Sequence, residues 1–236
     1  MGGLILIGIV FMVIGMIVQW RLKSKFTEYS QVGLMNGMSG AEIASQMLRD
    51  NGIYDVRITQ VEGMLTDHYN PADKTVNLSA DVYHGRSVSA AAVAAHECGH
   101  AVQHKVAYGP LKMRSALVPV VQVCSNILNF FNMAMMFIGG FIFYNQGLVS
   151  TTILTVLVAA NLGVTLFAMI TLPVEFDASR RALAWVEQRG VVNRNEYGMA
   201  KDALQWAALT YVVAALGALA NLLYYASLLL GRRSDD

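Results

Sequence analysis

Three long stretches of the chain contain no charged side chain, and together they predict four membrane-crossing helices. The first is residues 2–20, whose 19 residues at ~1.5 Å each cover roughly the ~30 Å hydrocarbon core of a bilayer. The second is the 60 residues between Arg114 and Glu175, about three times the ~20 that one crossing needs, which indicates a helical hairpin. The third, residues 203–231, is long enough for one tilted crossing.

The pattern at the ends of these stretches refines the prediction. The hairpin, residues 115–174, is expected to turn at residues 144–147, where Tyr-Asn-Gln-Gly interrupts two apolar runs. The first crossing, residues 1–20, could instead be a secretory signal peptide. However, basic residues follow its apolar run instead of preceding it, and no small-residue cleavage site is evident, so an uncleaved anchor is the better interpretation. A polar tail, residues 232–236, follows the last crossing.

Residues 21–114 have the mixed polar and apolar pattern of a small α+β module outside the membrane. Ser39 and Glu42 have the spacing of a capping box, which predicts the start of a helix. Asn51-Gly52 predicts the end of that helix, because asparagine and glycine readily adopt the backbone conformation that terminates helices. A functional site outside the membrane is therefore expected in this segment.

Two short strands and a second helix complete the module. Residues 56–61 alternate apolar and polar positions, and residues 75–78 follow a turn-forming segment, so each predicts a strand. The helix is expected at about residues 88–107, because Ser87 or Ser89 can cap it and an alanine-rich run follows. Its apolar run is too short to cross a bilayer, which places it on or against the membrane surface.

Composition supports a mainly α, multi-pass membrane protein, since 55% of the 236 residues are hydrophobic and only 14% are charged. The net charge of +1 gives no case for a nucleic-acid partner. The two cysteines, Cys98 and Cys124, suggest no disulfide framework. The lipid bilayer is therefore the partner that composition predicts.

The distribution of basic residues predicts an orientation. Of the 17 Lys and Arg residues, two are the C-terminal arginines, and all the others lie in residues 21–114 and 175–202. The predicted hairpin leaves these two segments on one side of the membrane, and the positive-inside tendency makes that side cytoplasmic. Residues 175–202 are expected to be helical. A site built from both segments would face the cytoplasm of a cell-membrane protein.

The strongest chemical signal is the segment His-Glu-Cys-Gly-His at residues 96–100. His96 and His100 are four residues apart, so on a helix both imidazoles project from one face and can bind one cation. Glu97 lies about 100° further round the helix, where its carboxylate can take a proton from a zinc-activated water. The pattern predicts a zinc-dependent hydrolase with Glu97 as the catalytic base; two structural histidines on an ordinary helix are the alternative.

A catalytic zinc takes three protein ligands and one water, so the two histidines need a third ligand. Glu175 is the best candidate, because the hairpin returns it to the side that carries the histidines and a carboxylate at a membrane boundary needs a partner. Pro173 is expected to open a new helix there. Asp177 is the rival ligand, and pairing of Glu175 with Arg180 or Arg181 is the alternative to a metal site. Cobalt or manganese could also fit such ligands.

Five residues are candidates for a supporting role beside the metal or in the transition state: His68, Tyr69, His104, Asp177 and Arg180. His104 lies eight residues after His96, ~12 Å along a helix, which is too far for both to bind one ion. A polar role near the site is expected for it instead. His68 and Tyr69, expected in a loop, could help to stabilise the transition state, although a histidine in a turn is more often structural.

Several separated motifs resemble those of the YugP-like family of membrane-bound neutral zinc metallopeptidases. In chain order they are residues 38–43, 51–56, 65–69, 82–87, 94–103 and 172–179. The resemblance covers most of the chain and implies a zincin-like module of the gluzincin type, one Zn²⁺ per chain and Glu175 as the third ligand. In the related HtpX-like and CAAX-processing peptidases, an aspartate typically lies four residues after the ligand glutamate. Here that position is Ser179.

The leading interpretation is a zinc endopeptidase that cleaves membrane or membrane-proximal polypeptides, with the substrate adding as a strand beside residues 75–78. The main alternative is a membrane scaffold or chaperone-like factor that binds zinc without cleaving. A structural zinc normally has four protein ligands, however, and only three are evident. A transporter is weaker because no second buried charge supplies a relay. Intramembrane site-2-type proteolysis would need the histidine motif inside an apolar crossing.

Overall fold

The computed structural model describes residues 2–138 and 148–233, which form seven helices and one three-stranded sheet. The helices are α1 (Gly2–Ser30), α2 (Gly40–Asp50), α3 (Ala80–Tyr83), α4 (Val88–Lys105), α5 (Gly109–Ile138), α6 (Leu148–Gln188) and α7 (Arg194–Arg233). The strands are β1 (Arg57–Val61), β2 (His68–Asn70) and β3 (Thr75–Ser79). The prediction of a mainly α chain with a small sheet is confirmed. The predicted hairpin turn at residues 144–147 lies outside the described residues.

Four of the described helices are long and apolar enough to cross a membrane. They are α1, Gly109–Ala134 of α5, Thr151–Gln188 of α6 and Arg194–Gly231 of α7. Large apolar side chains on them, such as Leu6, Phe130 and Leu223, are 61–70% exposed, as side chains that face lipid must be. This number of candidate crossings agrees with the prediction from the uncharged stretches.

The chain divides into two compact units, and the first holds mainly the apolar parts of the long helices. It consists of Met1–Met16, Met113–Leu172 and Tyr211–Asp236. Within its described part, Leu154, Leu157 and Tyr225 form a small buried cluster. A Cβ added at Gly163 of α6 would lie 2.7 Å from Cys124 Sγ of α5, so the absence of a side chain there permits the close approach of these two helices.

The second unit consists of Ile17–Lys112 and Pro173–Thr210. It contains the sheet, helices α2, α3 and α4, and segments of α1, α6 and α7. All of the candidate catalytic, metal-binding and supporting residues predicted from the sequence belong to this unit. It is therefore the unit whose geometry decides the function.

Pro173 does not begin a new helix, contrary to the sequence prediction, because α6 runs without interruption through it. A proline inside a helix removes one backbone hydrogen bond and disturbs the preceding turn. In an apolar setting, breaking the helix would leave several more backbone groups without water to bind, so continuing the helix is the less costly arrangement. Glu175 therefore lies on the same helix as the apolar segment that precedes it.

The sheet has the order β1-β3-β2, with β3 parallel to β1 and antiparallel to β2. All five residues of β3 are buried, as expected of a central strand. The sequence pattern does not predict β2, because a three-residue strand is too short to show alternation, and His68 and Tyr69 belong to it rather than to a loop. Since both edges of β3 are paired, a substrate strand cannot add beside residues 75–78, and that expectation is wrong.

Both caps that the sequence predicts are present. Ser39 Oγ accepts a hydrogen bond from the Glu42 N–H, and the Glu42 carboxylate accepts one from the Ser39 N–H at 2.7 Å, which completes the capping box of α2. Ser87, rather than Ser89, caps α4 by accepting from the Ala90 N–H. The start of the helix that carries the histidine motif is thus fixed by a local interaction.

Helices α2 and α4 pack against each other and form much of the core of the second unit. Ile43 and Met47 of α2 are buried in it together with Cys98 of α4. The Cys98 thiol donates to the Ala44 carbonyl oxygen at 3.6 Å, and burial raises the pKa of this thiol. Cys98 is therefore a core residue, although it lies inside the histidine motif.

We expect Ser39→Ala to lower the free energy of unfolding by about 1 kcal/mol, because it removes the side-chain acceptor at the start of α2. Ser45→Ala, in the middle of the same helix, is the matched control and should be neutral or slightly stabilising, since alanine has the higher helix propensity. Thermal unfolding of the detergent-purified variants measures both. Equal melting temperatures for the two variants would contradict the capping assignment.

Candidate metal centre

Helix α4 presents two imidazoles on one face. His96 and His100 lie one turn apart, with ring centroids separated by 4.8 Å and ring planes at 84°. The His96 side chain is 13% exposed and the His100 side chain is 10% exposed, so both imidazoles are largely buried. The Nε2 atoms of both rings are directed toward the same neighbouring helix, α6.

Helix α6 contributes the carboxylate of Glu175 to this face. Glu175 Oε2 lies 3.4 Å from His96 Nε2 and 3.5 Å from His100 Nε2, and one donor atom from each of the three residues lies within 4.8 Å of the others. Ligands ~2.1 Å from a tetrahedral zinc are about 3.4 Å apart. The three side chains therefore have the spacing and the chemistry that a zinc ion requires.

Burial makes the charge on Glu175 important. Its exposed fraction is 2%, and a carboxylate in such a place needs a cation or strong hydrogen-bond donors. For His100, burial lowers the pKa, but the hydrogen bond to Glu175 and the charges of Glu97 and Glu175 outweigh burial and raise it. The centre thus attracts positive charge.

Close packing of α4 on α6 sets the separation of the donor atoms. A Cβ added at Gly99 would lie 2.6 Å from the backbone oxygen of Ala178, a contact that real Cβ atoms do not make. Gly99 lies between the two histidines on α4, and Ala178 lies one turn after Glu175 on α6. Only glycine at position 99 allows the carboxylate to approach both imidazoles this closely.

The second nitrogen of each imidazole also has a partner. Ser179 Oγ lies 3.1 Å from His96 Nδ1, and Gln103 Oε1 lies 3.0 Å from His100 Nδ1. At position 179, where the resemblance to the related peptidases leads one to expect an aspartate, the serine hydroxyl makes this contact with His96. Gln103 lies three residues after His100, on the same helix face, and this spacing is the sequence signal that could have indicated the contact.

Asp177, the rival ligand, does not join the three donor atoms. It is buried, and its carboxylate accepts hydrogen bonds from Arg180, from Arg181 Nε at 2.6 Å and from Gln103 Nε2 at 3.0 Å. The two arginines that were the alternative partners of Glu175 therefore pair with Asp177. Asp177 is linked to the centre through Gln103, which also contacts His100, and Arg180 binds Asp177.

Glu97 lies beside His96 on α4 and is 7% exposed. Its charge acts on Asp67, whose pKa is raised by burial and further by Glu97, although hydrogen bonds from Ser79 oppose the shift. Those bonds run from the Ser79 N–H at 2.7 Å and from its hydroxyl at 3.2 Å. Glu97 is thus close to the centre, yet it is not one of the three clustered donors.

Of the remaining predicted residues, His104 lies on α4, and His68 and Tyr69 lie on β2. His104 Nδ1 is 2.8 Å from the Tyr69 hydroxyl, and burial is the main cause that raises the pKa of Tyr69. His68 Nδ1 is 2.8 Å from the carbonyl oxygen of Thr66 and is exposed. Neither His68 nor His104 joins the cluster of donor atoms in the described part of the chain.

Comparison with known proteins identifies relatives of the chain. The family model described as "Putative neutral zinc metallopeptidase" matches residues 4–230. The chain is 41% identical over 218 residues to "Putative membrane protease YugP" from Bacillus subtilis (strain 168), which covers 92% of this chain and 92% of that protein. No solved structure matches the chain. The matched region includes the three clustered side chains and Glu97. It also includes the candidate crossings of the described chain, apart from residues 2, 3 and 231.

We expect Gly99→Ala to weaken zinc binding on the order of tenfold or more, because the added methyl group forces α4 away from Ala178 and loosens the donor set. Gly198→Ala, in α7, is the matched control, since a Cβ there meets nothing within 4 Å. Zinc affinity is measured by competition with a coloured chelator in detergent. If both variants bind zinc as tightly as the wild-type chain, the close contact does not position the donors.

Proposed function

The chain belongs to the neutral zinc metallopeptidase family described above, and we propose that it is a zinc-dependent endopeptidase of the membrane with Glu97 as its catalytic base. The observation that carries this proposal is the convergence of His96, His100 and Glu175 on one point. These three side chains would hold one zinc ion per chain through two imidazole nitrogens and one carboxylate oxygen.

The number of clustered donors favours catalysis over a structural zinc. Within residues 2–138 and 148–233, the cluster contains three side chains that can bind a metal. Structural zinc sites are normally closed by four protein ligands, whereas catalytic sites keep one position for water or substrate. This difference supports a peptidase over a zinc-stabilised scaffold or chaperone-like factor, the main alternative.

Zinc and the side chains of the protein would contribute different parts of peptide-bond hydrolysis. When bound, zinc lowers the pKa of a water toward ~7 and polarises the substrate carbonyl. Glu97 accepts the proton of the attacking water on its carboxylate and passes it to the nitrogen of the leaving amine. Its place next to His96 on a capped helix fixes the distance between that base and the metal ligands.

The sheet suggests how a polypeptide would bind. In the order β1-β3-β2, the outer edge of β2 is free of strand partners in the described part of the chain, and β2 is the strand that contacts α4 through Tyr69 and His104. An extended substrate can add main-chain hydrogen bonds along such an edge. The β2 edge, rather than residues 75–78, is therefore the proposed substrate site.

The candidate crossings and the membrane-protease relative support a membrane location. We further propose that the catalytic centre faces the cytoplasm, on the argument that the Lys and Arg residues of residues 21–114 and 175–202 stay inside. Membrane or membrane-proximal polypeptides are then the substrates that the centre can reach.

Glu97→Gln should lower the rate of peptide-bond cleavage by about 10²- to 10⁴-fold while zinc content is unchanged, because the variant loses only the base. Glu187→Gln, an exposed residue of α6, is the matched control and should cleave at the wild-type rate. Cleavage is followed on an unfolded fluorescent protein and on the membrane proteome of cells that carry each variant.

Removal of zinc with a chelator should abolish the same cleavage, and added Zn²⁺ should restore it. The proposal fails if the zinc-loaded wild-type chain and Glu97→Gln cleave every tested substrate equally. Loss of cleavage in Glu187→Gln as well would instead indicate damage to the fold.

A labelling experiment tests the orientation. Tyr54 is 82% exposed in the second unit, so Tyr54→Cys should react with a membrane-impermeant maleimide only after cells are opened. Gly2→Cys, at the opposite end of α1, should react in intact cells. The reverse pattern of labelling would place the centre on the outer face.

A further inference from the structure

Gln103 is the most completely buried polar side chain close to the centre. Its exposed fraction is 0%, although it carries an amide with two N–H donors and one carbonyl acceptor. A buried amide is costly unless these groups have partners. The partners that it has are therefore informative about its role.

The two donors of Gln103 fix the orientation of its amide. Nε2 lies 2.7 Å from the carbonyl oxygen of Val174 and 3.0 Å from Asp177 Oδ2. Val174 O can only accept hydrogen bonds, and the Asp177 carboxylate already accepts from Arg180 and Arg181. The NH₂ group must face α6, so the amide oxygen must face the other way.

That amide orientation determines which ring nitrogen of His100 carries a proton. Gln103 Oε1 lies 3.0 Å from His100 Nδ1, and an amide oxygen has no proton to donate. The hydrogen of this bond must therefore be on Nδ1. A ring that binds zinc is neutral and carries only this one N–H, so in the metal-bound state Nε2 of His100 has its lone pair free for zinc; Nε2 is the atom 3.5 Å from Glu175 Oε2.

We propose that Gln103 is a positioning residue for the metal centre: by accepting the Nδ1–H of His100, it holds that ring in the orientation and tautomer that present Nε2 to zinc. Ligand histidines generally donate their other N–H to a fixed acceptor, which makes the ring a better ligand. Asp177 and Val174 serve this role indirectly, because they hold the amide of Gln103. The inference rests on the proposed zinc-binding function.

The two histidines differ in whether the partner of Nδ1 selects a tautomer. His96 Nδ1 contacts the hydroxyl of Ser179, which can donate or accept and therefore does not select a tautomer. Gln103, by contrast, can only accept from His100 in the amide orientation that α6 imposes. The loss of Gln103 should consequently affect the centre through His100 and leave His96 in place.

The test compares Zn²⁺ affinities of the full-length chain in detergent. Gln103→Met keeps the length of the side chain but has no acceptor for the Nδ1–H, and it should bind zinc roughly 10- to 100-fold more weakly. Gln103→Glu keeps an acceptor oxygen but loses the donors to Val174 and Asp177, so its affinity should fall between those of Gln103→Met and wild type. Both variants lose or alter the bonds to α6, so a purely structural role would weaken them alike.

Val88→Ala controls for loss of stability. Val88 is fully buried at the start of α4 and far along the helix from His100, so the variant should melt earlier and still bind zinc with wild-type affinity. Equal affinities for Gln103→Met and wild type would overturn the proposal. Equal weakening of Gln103→Met and Gln103→Glu would overturn it as well.

A second measurement does not depend on folding of any variant at Gln103. Nitrogen-15 spectra of histidine-labelled, zinc-loaded wild-type chain should show the His100 proton on Nδ1, whereas a proton on Nε2 would overturn the proposal. Failure of the proposed function is distinct from this outcome: a chain that binds zinc but cleaves nothing can still show the Gln103 effect. A wild-type chain that binds no zinc would overturn both proposals.

Discussion

A buried carboxylate on one helix that faces two imidazoles on another is the interaction on which the second unit depends. Glu175 of α6 is 2% exposed, and its Oε2 lies 3.4 and 3.5 Å from the Nε2 atoms of His96 and His100 of α4. Removing such a charge from water costs several kcal/mol unless partners compensate for it. The two helices must therefore keep a fixed separation, which Gly99 permits because its missing side chain lets α4 touch the backbone of α6. A zinc ion at this point would supply the positive charge that the carboxylate requires.

The fold holds α6 on both sides of the centre. On one side, Gln103 donates to the carbonyl oxygen of Val174. On the other, Asp50 at the end of α2 accepts hydrogen bonds from Trp185 Nε1 at 2.9 Å and from Arg189 Nε at 2.6 Å, and the guanidinium of Arg189 holds the pKa of the Asp50 carboxyl below its usual value. Because α2 and α4 share one core, these contacts join the metal centre to the packing of the whole second unit.

Much of this arrangement could be predicted because its signals are local in the sequence. The capping residues, the one-turn spacing of His96 and His100, and the long uncharged stretches each follow from neighbouring positions. Glu175 could be proposed only from the predicted topology; in the structure its Oε2 lies 3.4 and 3.5 Å from the two imidazoles. The strand β2 could not be predicted because it is too short to show alternation, and the helix through Pro173 continues against the usual effect of proline. The contacts of Gln103 with Val174 and Asp177, and of Ser179 with His96, could not be predicted because the partners are more than 70 positions apart in the chain. The pairing of His104 with Tyr69 across 35 positions is of the same kind.

We propose that one zinc ion is held by two imidazoles and one carboxylate, with a position left for water. X-ray absorption at the zinc edge of the purified, zinc-loaded chain tests it most directly. We expect one zinc per chain, nitrogen and oxygen ligands at about 2.0–2.1 Å, scattering from two imidazole rings and no sulfur. A sulfur ligand at about 2.3 Å, which would come from Cys98 or Cys124, or scattering from fewer than two imidazoles would contradict it.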